Sequence, residues 1–199
     1  MKRIHLLLTT TALLLGFGSL GIALSDDDGD ERGKGREERK ERSLIQANIA
    51  PATDPAYLKE CGSCHLSYPP GLLTEGAWRR IISPESLSAH YGDDASLPEQ
   101  TRAAIESYLI ANAADQSRRS RERAFAAFAN PDEAGGDLPR ITQAAYFIRK
   151  HDEIPPRLVA DNPEVKSFSQ CDRCHADANK GDFDEDRVNI PGYGPWEKD

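Results

Sequence analysis

The chain has 199 residues, a formal net charge of −8 and 38% hydrophobic residues, and its single Met is Met1. This length indicates one domain or two small lobes rather than a large multi-domain protein. With a pI of about 5.2, no excess of Lys or Arg is available to neutralise phosphates, which argues against a nucleic-acid binder. If Met1 is removed, methionine sulfur is excluded as a metal ligand.

Residues 1–25 have the pattern of a secretory signal peptide. Two basic residues precede an apolar or small-residue stretch from Ile4 to Leu24, and Ala23 and Ser25 occupy the −3 and −1 positions of a signal-peptidase site. The stretch is also close to the ~20 residues of a membrane span, so an uncleaved anchor is the alternative. Both interpretations predict export, and exported compartments are oxidising, so Cys pairs can form disulfides there.

Residues 26–42 form a charged arm with eight acidic and six basic residues and no apolar side chain. Such a segment cannot bury enough surface to offset its chain entropy, so it is predicted to be disordered, with a docking tail as the alternative. The folded part then covers residues 43–199, either as two lobes (43–130 and 131–199) or as one domain.

The folded part is predicted to be mainly α, with short helices broken by Pro and Gly. Thr53-Asp54-Pro55 predicts a helix that runs into Cys61, and Ser83-Pro84-Glu85 predicts one that ends at Gly92. The clearest helix follows Pro98, because apolar residues recur there three and four apart. The remaining predictions are helices over 118–129, 142–151 and 162–171, a loop over 130–139, and no strand.

Two Cys pairs with the spacing C-x-x-C-H use every Cys of the chain. Two thiols three residues apart on a helical turn lie on one face, where they reach the two vinyl groups of a c-type haem. The next residue points beneath the ring, so a His there binds the iron. The sequence therefore predicts two covalently bound c-type haems, one in each half. The cofactor-binding residues are Cys61, Cys64, Cys171 and Cys174, and the proximal iron ligands are His65 and His175.

Three other uses of the Cys pairs fit less well. A zinc site built from all four Cys would leave both His residues unexplained and would join pairs far apart in the chain. A redox-active C-x-x-C motif belongs to a βαβ context, which the helical pattern lacks. Structural disulfides would not require a His after each pair.

The chain offers one further His for each predicted iron. Because His5 lies in the signal peptide, only His90 and His151 remain beside the two proximal residues. The economical solution is two bis-histidine, six-coordinate, low-spin haems, with a vacant position or an amine ligand as the alternative. Short loops close at lower entropic cost, so we pair His65 with His90, 25 residues away, and His175 with His151, 24 residues away.

Further motifs surround these four residues. They are Tyr68-Pro69-Pro70-Gly71-Leu72-Leu73, Trp78-Arg79-Arg80-Ile81, the stretch from His90 to Leu97, Ile141-Thr142, Phe147 to His151, Ile154-Pro155, Ser167 to His175, and Gly181-Asp182-Phe183. In this combination the chain resembles the dihaem cytochrome c family often called DHC, over most of residues 56–190.

The resemblance implies a periplasmic electron-transfer protein with bis-histidine haems, whose ligands fall on His65, His90, His151 and His175. It also implies a redox partner, a high-spin, oxygen-binding monohaem cytochrome c of the SHP type, and membrane b-type cytochromes as donors. The charged arm lies outside the resemblance.

Saturated iron has no open position for a substrate, so the sequence predicts a one-electron carrier with no catalytic residue and no small-molecule substrate. The main alternative is a small peroxidase-like haem enzyme in which one haem opens a coordination site; a haem-based sensor or structural subunit is a third. The local basic cluster Arg118, Arg119, Arg121 and Arg123 is interpreted as a solvated helix face, with docking or pairing to haem propionates as alternatives.

Overall fold

A computed structural model of the chain describes residues 49–127 and 137–196. The predicted signal peptide (1–25), the charged arm (26–42) and the boundary between the two predicted lobes (130 and 131) lie outside the described residues. So do the end of the predicted helix at 118–129 and most of the loop at 130–139.

The described residues are mainly helical, as predicted. Three helices begin at a polar side chain that accepts a hydrogen bond from the first turn: Asp54 from the Tyr57 N–H at 2.8 Å, and Thr74 and Ser83 in the same way. The α-helices are α1 (Pro55–Glu60), α2 (Glu75–Ile81), α3 (Pro84–Leu87), α4 (Glu99–Ala111), α5 (Ser120–Ala127) and α6 (Ala145–His151).

Seven single-turn 3₁₀ helices and one small hairpin complete the described elements. Strand β1 (Asn189–Ile190) pairs antiparallel with β2 (Gly194–Pro195), with Ile190 opposite Gly194. No strand was predicted, because two residues are too few to show an alternating pattern. The 3₁₀ helices are Pro70–Leu72, Ala114–Gln116, Ile141–Gln143, Pro156–Leu158, Cys171–Arg173, Ala178–Lys180 and Glu185–Arg187.

The helix predicted to end at Gly92 is shorter in the structure, since α3 ends at Leu87. His90 and Asp93 instead exchange backbone hydrogen bonds across a tight turn, with N···O distances of 2.7 and 3.1 Å. Tyr91 and Gly92 have φ angles of 52° and 111°. Gly92 therefore serves a reversal of the chain rather than a helix cap, and His90 lies at the start of that reversal.

The helix predicted from Asn162 into Cys171 is also absent. The N–H groups of Val165 and Lys166 donate to the Asn162 carbonyl, which makes a single turn. Lys166 has a φ of 67°, a left-handed conformation that ends helical propagation. The second Cys motif is consequently reached through turns.

The helices and turns enclose three apolar clusters. In the first, α1, α2 and α4 bury Tyr57, Trp78 and Ile105, and the Trp78 Nε1–H donates to the Pro70 carbonyl at 2.7 Å. The helical stripe predicted after Pro98 is confirmed, because Ile105 and Leu109 are both buried. The second cluster includes Phe125 of α5 and Phe147 of α6, and the third includes Val165 and Ile190.

A buried carboxylate fixes α5 against the rest of the fold. Glu122 is 2% exposed and accepts hydrogen bonds from the Ala50 N–H at 2.5 Å and from the Ser117 hydroxyl. A buried carboxylate needs such partners to offset its desolvation. The preceding residue of α5, Arg121, is half-buried.

Replacing Gly181 with Ala is expected to destabilise the fold by about 3 kcal/mol or more. Gly181 has a φ of 75°, and an added Cβ would lie 2.0 Å from the Ile49 carbonyl oxygen. Thermal unfolding of the protein measures the change. Gly76→Ala is the matched control: its Cβ meets nothing within 4 Å, and it lies in α2, where Ala is favoured by up to ~1 kcal/mol. Equal melting temperatures for the two variants would contradict this account.

Candidate functional site

The first Cys motif follows α1 directly. The Cys61 N–H donates to the Tyr57 carbonyl at 3.0 Å, which continues the helical turn, and Cys64 is exposed. The predicted distal residue, His90, faces His65 from the turn after α3. The centres of the two imidazole rings are 6.3 Å apart, and their planes differ by 15°.

The second Cys motif opens with the 3₁₀ helix Cys171–Arg173, and the His175 N–H donates to the Cys171 carbonyl at 2.8 Å. His151 is the last residue of α6 and faces His175. The centres of these two rings are also 6.3 Å apart, but their planes differ by 76°. The structure therefore brings the four predicted ligands together as two separate pairs.

Both separations suit one metal ion between two imidazoles. Metal–nitrogen bonds of about 2 Å on each side, and about 1 Å from each nitrogen to its ring centre, add to roughly 6 Å. Direct ring stacking would bring the centres closer, as in the 3.9 Å between Phe147 and His151. Each separation therefore suits one ion between the two rings.

Burial favours the uncharged imidazole that binds metals. The pKa of His175 falls to about 4 because of burial and, secondarily, the neighbouring His151. Burial likewise lowers the pKa of His151, and burial together with His65 lowers that of His90. At neutral pH these three residues therefore offer a nitrogen lone pair.

Two of the predicted ligands contact a backbone carbonyl through one ring nitrogen. The Nδ1 of His65 lies 2.7 Å from the Leu66 oxygen, and that of His151 lies 2.9 Å from the Phe147 oxygen. Such a contact orients a metal-binding imidazole and increases its basicity. The Nδ1 of His90, in contrast, is buried and has no partner within the part of the chain that the structure describes.

The second pair borders an apolar cavity of about 350 Å³. Its walls include Phe125, Val165 and Ile190 from the second and third clusters, and the second Cys pair lines it as well. A large apolar cavity beside two thiols and two imidazoles suits a macrocycle that is attached through sulfur and bound through its metal.

The four Cys thiols are free in the structure. Burial raises the pKa of Cys61 to about 11 and that of Cys171 to about 12, so neither is a thiolate at neutral pH. Over residues 49–127 and 137–196, no group of three or more His, Cys, Asp or Glu side chains could hold a metal ion.

Residues 57–183 match the family described as dihaem cytochrome c. The chain belongs to the dihaem cytochrome c family. A diheme cytochrome type c from Shewanella baltica OS155 is 48% identical to this chain and superposes with a TM-score of 0.58. The alignment covers 72% of this chain and 97% of the Shewanella chain. The diheme cytochrome c from Rhodobacter sphaeroides is 40% identical over 67% of this chain and 99% of its own, with a TM-score of 0.55. A comparison with curated proteins found no match.

As a dihaem cytochrome c, the protein carries two c-type haems, and its two Cys pairs have the spacing of covalent attachment. The described short helices and loops surround the two sites, as predicted. Within residues 49–127 and 137–196 of this dihaem cytochrome, no helix is long and apolar enough to cross a membrane.

The basic cluster of this dihaem cytochrome begins just before α5, and its residues differ in exposure. Arg118 and Arg123 are exposed, whereas Arg121 lines the cavity of the second site and donates to the Phe183 carbonyl at 3.2 Å. Lys150 lines the same cavity. The solvated-face interpretation therefore holds for the first two residues but not for Arg121.

Aromatic rings beside the imidazoles were not assigned a role from the sequence. Tyr68 stacks on His65 with ring centres 4.9 Å apart, and Phe183 meets His175 edge-on at 5.3 Å. Both residues lie within the family motifs, but nothing in a single sequence indicates which imidazole each one contacts. Phe147 and Phe168 both contact His151.

Proposed function

We propose that this dihaem cytochrome carries single electrons in the periplasm through two bis-histidine, low-spin haems. His65 and His90 bind one iron, and His175 and His151 bind the other. The observation that supports this is the equal separation of 6.3 Å between the rings of both pairs. Family membership supports the electron-transfer role, and the signal peptide predicted for residues 1–25 supports export.

Two imidazoles on each iron favour electron transfer over substrate chemistry. A saturated iron has no open position, and its ligands rearrange little between oxidation states. Two nitrogen donors also favour ferric iron more than a His/Met pair does. Both midpoint potentials are therefore expected at the low end of the roughly 0.8 V range that axial ligands set.

The partner that we propose is an oxygen-binding monohaem cytochrome c of the SHP type, with membrane b-type cytochromes as donors. The acidic balance of the chain, with a net charge of −8, favours a partner that docks through a basic surface. Such an encounter speeds up at low ionic strength, because salt screens exposed charges beyond about 10 Å at 0.1 M.

Anaerobic stopped-flow mixing tests this function. The reduced protein is mixed with an oxidised monohaem cytochrome c of that type, and oxidation of the dihaem protein is followed by visible absorbance. We expect a second-order rate that falls as salt is added. An acidic monohaem cytochrome c serves as the control and should react more slowly. No electron exchange with the proposed partner at any ionic strength would refute the partner assignment.

One observation favours a second candidate, a redox enzyme in which the first site opens. The His90 Nδ1 has no hydrogen-bond partner among the described residues, so its imidazole lacks the contact that strengthens such ligands. Carbon monoxide added to the reduced protein distinguishes the two functions. An unchanged spectrum supports the carrier, whereas a carbon monoxide complex at one haem supports the enzyme.

Replacing Arg121 with Gln is expected to lower the midpoint potential of the second haem. The variant removes a positive charge from the cavity, and positive charge opposes the ferric state. Across partly solvated surroundings this interaction amounts to about 1 kcal/mol or less, roughly 40 mV for one electron. Spectroelectrochemical titration measures the shift. Arg118→Gln makes the same charge change at an exposed position of the same segment, and an equal shift in both variants would exclude a specific role for Arg121.

A further inference from the structure

Tyr68 is held rigidly beside the proximal ligand of the first site. Its ring lies 4.9 Å from the centre of the His65 ring, with the planes 26° apart. Its backbone carbonyl accepts a hydrogen bond from the Tyr57 hydroxyl at 2.8 Å, and two buried prolines follow it. These contacts fix the backbone of Tyr68.

The Tyr68 hydroxyl reaches the second site. It donates to the Ser169 carbonyl at 2.8 Å, across 101 positions of the sequence. The same Ser169 oxygen lies 3.7 Å from the Sγ of Cys171, the first attachment sulfur of the second haem. Burial raises the pKa of Tyr68 to about 12, so the hydroxyl keeps its proton at neutral pH. A continuous series of contacts thus runs from the His65 imidazole to the Cys171 sulfur.

We propose that Tyr68 is a positioning residue that joins the two haem sites. Its ring sets the plane of the His65 imidazole. Its hydroxyl, by donating a hydrogen bond, reduces the partial negative charge of the Ser169 carbonyl oxygen beside Cys171. The inference rests on the proposed bis-histidine function, because it concerns the properties of the two irons in that state. No electron resides on Tyr68, and no proton moves.

The two ends of the side chain predict separable effects. Without the hydroxyl, the Ser169 oxygen keeps its full partial charge, and negative charge near the second site stabilises ferric iron there. The second midpoint potential should then fall while the first stays in place. Without the ring, the His65 imidazole loses the surface against which its plane is set, so the ligand field of the first iron should change.

Tyr68→Phe tests the hydroxyl on the haem-loaded protein. Spectroelectrochemical titration should show the second potential lowered, so that the equilibrium for electron exchange between the two sites shifts about threefold, or about 30 mV at 59 mV per tenfold. Tyr193→Phe is the matched control, since it removes the same hydroxyl from a side chain that is 60% exposed. Potentials equal to those of the wild-type protein in Tyr68→Phe would overturn the role of the hydroxyl.

Tyr68→Leu tests the ring through the electron paramagnetic resonance (EPR) spectrum. The low-spin signal of the first haem should change its g values, and Tyr68→Phe, which keeps the ring, should restore them. Unchanged g values in Tyr68→Leu would overturn the positioning role. A wild-type spectrum without two low-spin centres would instead refute the bis-histidine function, whereas failure of the present inference leaves those centres intact in every variant.

Discussion

Replacing His90 with Ala is expected to convert the first haem, and only the first, from low spin to high spin. The variant removes one of two imidazoles whose ring centres are 6.3 Å apart, which leaves a five-coordinate iron. Loss of a strong nitrogen donor favours ferrous iron, so that potential should rise by on the order of 0.1 V, within the roughly 0.8 V span that axial ligands set. The reduced variant should also bind carbon monoxide at one haem.

His151→Ala is the reciprocal control for this experiment. It should open the second site and leave the first unchanged, because the described residues place His151 against His175 and not against His65. EPR spectra of the two oxidised variants are compared with that of the wild-type protein. Two intact low-spin signals in either variant would show that the replaced residue is not a ligand.

Replacing Cys171 and Cys174 together with Ala is expected to remove one haem and to unfold the C-terminal half of the chain. At about 24 cal/mol per Å³, emptying the cavity of about 350 Å³ would cost at most about 8 kcal/mol. The cavity opens to solvent, so water offsets part of this cost. The remainder is still large beside the about 5–15 kcal/mol by which most domains are stable.

Mass spectrometry under denaturing conditions counts the haems that stay attached. We expect the double variant to carry one haem, and amide hydrogen exchange to show loss of protection around residues 145–190 with protection kept over 55–111. The matched control, Cys61→Ala with Cys64→Ala, should show the reverse distribution. Two covalently bound haems in either double variant would contradict the assignment of the Cys pairs.

The sequence predicts the sites better than it predicts the segments between them. The C-x-x-C-H spacing by itself indicates haem attachment. The buried stripe with Ile105 and Leu109 follows from apolar residues that recur three and four positions apart. The short separation of His65 and His90 in sequence motivated their pairing, and their rings lie close together in the structure. These features are local, so a single sequence contains them.

The missed features depend on single backbone conformations or on distant contacts. The left-handed Lys166 ends a turn that the sequence presents as the start of a helix. The contact between Tyr68 and Ser169 joins residues 101 positions apart, and Arg121 lines a cavity whose other walls come from distant parts of the chain. Packing decides these features, and periodicity does not report them.

The EPR spectrum of the oxidised, fully haem-loaded protein tests the central claim most directly. Two iron d orbitals differ in energy when the two imidazole planes are near-parallel, and they lie close in energy when the planes are near-perpendicular. The interplanar angles of 15° and 76° therefore imply different g anisotropy at the two irons. We predict two low-spin signals, the more anisotropic one from the His151–His175 site. A high-spin signal from either haem in the resting protein would contradict ligation of both irons by paired histidines.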